Sequence, residues 1–298
     1  MFTFKNMSKL KHPEQYYLDL VKHTLLNGKK EVRRNGTVYS HIGGALRFDL
    51  SEKTMPILTT KKIALGSCLR ELLWFISGST DNKILRDQGV NIWNKNASRE
   101  YLDSVGLTIN QEDDLGPIYG HQWRHFNARY YTRKYGYRGI GVDQLEMVVN
   151  KLKYERDSRR IVMSAWNPCQ LSEMALPPCH ILSQYHVTED NKLSCTMYQR
   201  SADLGLGLPF NISSYSYLTH LLAHHCNLEA EELIIFIGNC HIYDDHKESL
   251  EEQCERRPTL FPTLEINNFR DKIGDYKFED FNVKNYEHQG KINMEMRA

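Results

Sequence analysis

The chain has almost no net charge: 38 basic side chains face 37 acidic ones, leaving a formal +1 over 298 residues. That balance removes the electrostatic footprint of a dedicated nucleic-acid binder and any broad attraction to a membrane, so an anion site must be a local cluster. No run approaches the ~20 consecutive apolar residues of a membrane-spanning helix. The opening stretch MFTFKNMSKLKHPEQYY lacks the apolar run of a secretory signal. The seven cysteines, at positions 68, 169, 179, 195, 226, 240 and 254, include no C-x-x-C pair. An odd, scattered set argues against a disulfide framework, so the expectation is a cytoplasmic, intracellular protein with reduced thiols. Gly/Ser-rich linkers, low-complexity tracts and repeats are missing too. The expectation is one domain over 1–298, with 1–12 as a flexible tail.

What is present is ordinary apolar content, enough for a substantial core. Pro13 starts a segment in which Leu18, Val21 and Leu25 recur at helical spacing, and Gly28 supplies the stop. RRNGTVYSHIGGALRFDL carries turn residues and short alternating runs, predicting strands and loops. GSCLRELLWFISG predicts a largely apolar helix with Ser67 as cap and Gly78 as terminator. A further amphipathic helix runs through Val142, Leu145, Val149 and Leu152 into a cationic turn. RIVMSAWN and ELIIFIGNCHIY read as buried strands, ILSQYHVTEDNKLSCTMYQRS as two strands joined by a polar turn, and NISSYSYLTHLLAHHCNL as a long helix. Helices and strands mix without a regular βαβ beat, which makes the fold class α+β.

Three chemistries compete for the polar motifs. In HLLAHHC, His220 and His224 stand four apart on a helix near Cys226, a spacing that can present two imidazoles to one ion. The metalloprotease pattern needs glutamate after the first histidine and the chain has Leu221, so helical histidines with polar partners are expected and metal ligands are not. A cysteine hydrolase would pair Cys179 with His180 in ALPPCHILSQY, yet neighbours in an extended segment point to opposite faces. A nucleophilic Cys179 therefore needs another activator, most simply an arginine that lowers its pKa. Arg200 and Ser201, in MYQRSADLGLGLPFN, follow a strand, and Asp203, Gly205, Gly207 and Asn211 lead into the long helix. Arginine, hydroxyl and close backbone together make a phosphate seat. Arg159 and Arg160 of DSRR read on their own as a solvated helix end.

Seven ordered blocks, ELLWFISGST, DLGPIYGHQWRHF, DSRRIVMSAWNP, MALPPCH, YQRSADLGLGLPFNISSY, HIYDDH and a C-terminal MEM, carry a resemblance to thymidylate synthase over nearly the whole length. The longer segments 93–115 and 127–141 resemble the eukaryotic-type, monofunctional form. The resemblance implies a mixed β-sheet with flanking helices, and a homodimer with shared active sites. The implied reaction is reductive methylation of dUMP to dTMP, with 5,10-methylenetetrahydrofolate as co-substrate, dihydrofolate as by-product and no metal.

By the same resemblance Cys179 attacks C6 of the pyrimidine, which activates C5. Arg200 holds the phosphate and favours the thiolate, Ser201 binds the same phosphate, and Arg159 and Arg160 reach it from the partner subunit. Asn211 matches the N3 hydrogen and O4 oxygen of uracil. Glu71 relays protons, Tyr119 helps remove the C5 proton, and His241 and Tyr243 bind the ribose. On the folate side stand Asp203 for the pterin, Ile92, Trp93, Gly207, Leu208 and Phe210 as walls, and Lys61 for the glutamate tail. The last residues, 296 to Ala298, fold over the ligands. The phosphate loop departs from the family pattern: VRRNGTVY leaves Arg33 and Arg34 as alternatives for the loop arginine. Asn239 replaces a common aspartate, and MRA ends the chain in place of a valine-terminated tail. The alternatives are a hydroxymethylase of the same superfamily, acting on dUMP or dCMP, and a non-catalytic nucleotide- or RNA-binding relative.

Overall fold

Pro13 has no N–H to leave unpaired and opens helix α1 (Pro13–Asn27), while His12 Nδ1 accepts the Glu14 N–H at 3.2 Å. The computed structural model describes residues 11–297. The expectation for 1–12 lies mostly outside them; its last two residues are tied to α1, Lys11 by an ion pair to Asp19 and His12 by the cap. Glu14 is buried and fully occupied, taking hydrogen bonds from the N–H and hydroxyl groups of Thr59 and Thr60. Gly28 ends the helix, as the sequence predicts.

Strands β1 (Lys29–Arg33) and β2 (Gly36–Asp49) form a hairpin, so the segment expected to give short strands and loops supplies one 14-residue strand. Helix α2 (Leu65–Ile76) begins three residues earlier than the predicted cap at Ser67 implies. Ala64 is its cap and Ser67 lies inside, while Gly78, at φ +79°, closes the end. Three short helices follow, α3 (Asn82–Arg86), α4 (Asn94–Ala97) and α5 (Arg99–Ser104), then α6 (Tyr119–His125) and α7 (Gln144–Tyr154). Asp143 caps α7, leaving Val142 outside and exposed. The helix also stops at Tyr154, so Arg159 and Arg160 belong to the following loop and not to a helix end.

The main sheet has six strands in the order β1-β2-β6-β5-β4-β3, with β3 (Val162–Ser164), β4 (His180–Val187), β5 (Lys192–Asp203) and β6 (Glu229–Tyr243). All neighbours are antiparallel except β5 and β6, which the crossover helix α8 (Gly207–His225) makes parallel. RIVMSAWN contributes only a three-residue edge strand. Helix α8 is buried nearly all round, packing on the face of Leu193, Cys195 and Met197 of β5 and Leu233, Ile235 and Ile237 of β6. Alternation puts Tyr198 and Phe236 on the opposite face, where with Val162 of β3 they are 41–47% exposed. Helix α9 (Lys247–Glu255) and a two-stranded sheet, β7 (Thr263–Ile266) with β8 (Phe281–Lys284), complete the fold.

Candidate active site

Cys179 stands just before β4, and β5 runs past it: the Arg200 N–H donates to the Cys179 carbonyl at 2.8 Å. The two prolines ahead of it offer carbonyls without competing N–H donors, and the Arg200 guanidinium takes both. Its Nε bonds the Pro178 oxygen at 2.7 Å and its Nη2 the Pro177 oxygen at 3.0 Å. The fork is thereby fixed with Nη2 3.9 Å from Cys179 Sγ, and the Trp166 ring lies under it at 5.5 Å. Burial pushes the thiol pKa up and Arg200 pulls it down, with burial the larger effect. The sequence reading of a thiol lowered by arginine is therefore corrected in its net direction: Arg200 acts with the expected sign, but much of its hydrogen bonding goes to backbone.

The second wall is aromatic. Tyr119 accepts the Cys179 N–H on its hydroxyl at 2.7 Å and stacks on the His180 ring at 4.1 Å. His180 is buried, meets the Tyr215 hydroxyl at 3.0 Å, and is held neutral by burial, its pKa brought down to about 3. It packs away from the thiol, as alternation along the chain predicts. Glu71, on the inward face of α2, is 6% exposed and accepts the Trp93 indole N–H at 2.7 Å. Burial raises its pKa to about 7, with the Trp93 bond opposing. Trp93 also packs edge-on against Tyr119, at 6.2 Å, so carboxyl, indole, phenol and thiol form one continuous set.

At the C-terminal end of β5 the side chains turn polar. Buried Gln199 donates from Nε2 to Ser201 O and to Asn211 Oδ1, both at 3.0 Å, which turns the Asn211 amide so that its NH2 faces away from Gln199. Asp203 accepts the N–H groups of Gly205, Leu206 and Gly207 at 2.8, 3.2 and 3.3 Å, shaping the turn into α8. On the neighbouring strand His241 is held by Asn239 at 3.1 Å, so the asparagine that departs from the family pattern still fixes this ring. Burial lowers the His241 pKa against the pull of Asp203. Burial likewise raises the Tyr243 phenol, with Asp203 and Cys179 adding to it and Asn35 and Arg34 opposing. Arg34 thus acts on Tyr243, whereas Arg33 spends its guanidinium on Glu31 at 2.7 Å on an exposed strand.

Leu208 is buried and Ile92 and Phe210 half-buried, while a Cβ added at Gly207 would come 3.5 Å from the Asp203 Cβ. Lys61, the residue expected at the glutamate tail, is turned inward. It is 3% exposed, donates to the Gly205 carbonyl, and burial lowers its pKa to about 8. Ala298 lies outside the described residues. Arg159 and Arg160 are exposed alongside the far end of β4, where Gln184 donates to Arg159 O at 3.2 Å. At ~3.3 Å per strand residue that is on the order of 20 Å from Cys179 in the same chain. His220 and His224 meet different backbone carbonyls, Thr54 at 2.8 Å and Asn268 at 2.9 Å, as helical histidines with polar partners do.

Sequence reasoning missed Gln199, Trp166 and His246. All three stand in the quoted blocks without a role read for them; Gln199 also left a signal of its own, a polar residue at an inward position of an otherwise apolar strand pattern.

A thiol set against a fixed arginine and a buried carboxyl of raised pKa, on an α+β scaffold, defines a class: proteins equipped for covalent catalysis by cysteine. A family profile described as thymidylate synthase matches residues 15–298. Thymidylate synthase 1/2 of Encephalitozoon cuniculi is 48% identical over 291 residues, 97% of this chain and 98% of that protein. A putative bifunctional dihydrofolate reductase-thymidylate synthase of Oryza sativa is 49% identical over 99% of this chain, and the bifunctional protein of Zea mays 48% identical over 96%. The chain spans 61% and 55% of those two longer proteins. The chain belongs to the thymidylate synthase family.

Proposed function

We propose that this chain converts dUMP to dTMP by reductive methylation, as a cytoplasmic homodimer with shared active sites. The observation that carries the reading is Cys179 Sγ held 3.9 Å from the Arg200 guanidinium on a backbone bonded to Tyr119. C5 of uracil is a poor nucleophile; addition of sulfur to C6 places an electron pair towards C5 as an enolate, and later β-elimination returns the sulfur to Cys179. Glu71, with a pKa of about 7, is neutral or charged according to need at working pH, which suits a group that passes protons to and from the pyrimidine through water. Tyr119 is placed beside the thiol to assist removal of the C5 proton.

Asn211, oriented by Gln199, offers an NH2 to O4 and keeps a lone pair on Oδ1 for the N3 hydrogen. Arg200, Ser201 and Arg34 converge on the phosphate, and His241 and Tyr243 on the ribose. Arg159 and Arg160, too far from Cys179 within one chain, reach the phosphate of the partner's site. The exposed apolar sheet face of Val162, Tyr198 and Phe236 supports a second copy packed there.

The donors and walls on the folate side suit its ring. The Asp203 carboxylate suits the N–H groups of a flat ring, and Trp93, Leu208 and Phe210 are assigned as its apolar walls, with Ile92 and Gly207 flanking it. When bound, 5,10-methylenetetrahydrofolate supplies the one-carbon unit and the hydride. The chain's own residues orient the ring, exclude water and manage protons.

Mixing protein, dUMP and 5,10-methylenetetrahydrofolate tests the reading. An absorbance rise from dihydrofolate is expected, together with its loss in Cys179→Ala while dUMP binding stays. Hydroxymethyl-dUMP formed without dihydrofolate is the hydroxymethylase outcome and contradicts the reading, as does an active alanine variant.

A further inference from the structure

His246 lies three residues beyond Tyr243, in a single turn (Asp244–His246) at the end of β6. Its ring is fully buried and, among the described residues, makes one hydrogen bond, Nε2 to the Glu295 carbonyl at 2.7 Å. A carbonyl only accepts, so Nε2 carries a proton and Nδ1 is the ring nitrogen left facing inward. Nδ1 stands 4.0 Å from Asp203 Oδ1 and has no hydrogen-bond partner among the described residues. A histidine kept only for packing would be expected to satisfy both nitrogens.

The neighbouring residues hold the same C-terminal segment. Asp245 pairs with Arg297, Lys95 Nζ donates to Met296 O at 3.2 Å, and Ser249 Oγ donates to Asn293 O at 3.1 Å. The segment passes so close to the Asp203 turn that a Cβ on Gly205 would come within 2.9 Å of His246 Nδ1 and 3.1 Å of Met294 Sδ. Among the described residues His246 thus both grips this segment and faces Asp203.

We propose that His246 is a positioning residue that seats the C-terminal segment against the Asp203 turn through its Nε2–H bond to Glu295, setting the shape of the pterin side of the site. The functional half rests on the assignment of Asp203 to the folate; the anchoring half does not. His246→Asn keeps a polar group near Nδ1 and cannot reach Glu295, whereas His246→Gln can place an amide N–H where Nε2 was. Amide exchange of residues 293–297 in the ligand-free protein is expected to speed up about fivefold to tenfold in the asparagine variant, the scale of one lost hydrogen bond, and to return towards the parent in the glutamine variant. The KM for 5,10-methylenetetrahydrofolate should rise by a similar factor in His246→Asn, with dUMP affinity within about twofold and rescue by glutamine. Unchanged exchange in His246→Asn overturns the anchoring, and equal loss of dUMP and folate binding in both variants reduces His246 to a packing residue. Faster exchange with no change in folate KM overturns the positioning role. An intact exchange effect in a protein that forms no dihydrofolate instead contradicts the assigned reaction, so the two failures are distinguishable.

Discussion

Glu71 holds its proton to about pH 7 because its carboxyl is buried on α2, where the Trp93 indole is its donor among the described residues. The native state therefore binds a proton that the unfolded chain, with a carboxyl near 4.5, has released. The stability this contributes is complete below about pH 4.5 and is lost as pH rises through about 7, a change of roughly 3 kcal/mol at 1.36 kcal/mol per pKa unit. Glu71→Gln stays neutral throughout. Urea unfolding should find it close to the parent at pH 5 and more stable by up to roughly 3 kcal/mol at pH 8, even though turnover falls. A gap that does not grow with pH contradicts this. Cys179 makes the complementary case: burial raises the thiol and Arg200 lowers it. Iodoacetamide should alkylate Cys179 more slowly at pH 8 than the exposed Cys169, and Arg200→Met should slow it further. Faster alkylation in that variant counts against the arginine's electrostatic role.

At the scale of elements, the site gathers where β5 ends, with Arg200 meeting the prolines before β4 and Gln199 reaching across to Asn211 at the start of α8. Gln199→Glu replaces the amide donor by an acceptor, turning Asn211 round. The kcat/KM for dUMP should drop about tenfold or more, with phosphate-anchored binding of the nucleotide retained. Unaltered kcat/KM would remove Gln199 from the positioning set. Much of this was legible beforehand. Helices α1, α2 and α8 follow from apolar spacing and stop residues, and Cys179, Arg200 and Asn211 stand in motifs whose chemistry can be argued. Ser67 misled because a serine near a helix start resembles a cap, while packing carried α2 back to Leu65. The Lys61 contact to Gly205, the Gln199 contact to Asn211 and the choice between Arg33 and Arg34 are long-range or turn geometry, which no local pattern encodes.

On the scale of the whole molecule, Arg159 and Arg160 lie at the wrong end of β4 for their own Cys179, and the outer face of the sheet exposes Tyr198 and Phe236. The proposed shared-site dimer would account for both. Cys179→Ala and Arg159→Ala/Arg160→Ala homodimers should each be nearly inactive, yet re-equilibrating equal amounts should restore roughly a quarter of parental activity, since half the dimers then carry one intact site. No recovery in mixed dimers would place these arginines outside the site. The central claim, that the Cys179 sulfur bonds to the pyrimidine, is tested most directly with a dUMP analogue whose C5 carries fluorine, which cannot leave as a proton. After mixing with 5,10-methylenetetrahydrofolate, peptide mass spectrometry should find nucleotide and folate together on the peptide containing Cys179. Absence of any adduct, or an adduct on another cysteine such as Cys169, would contradict the account.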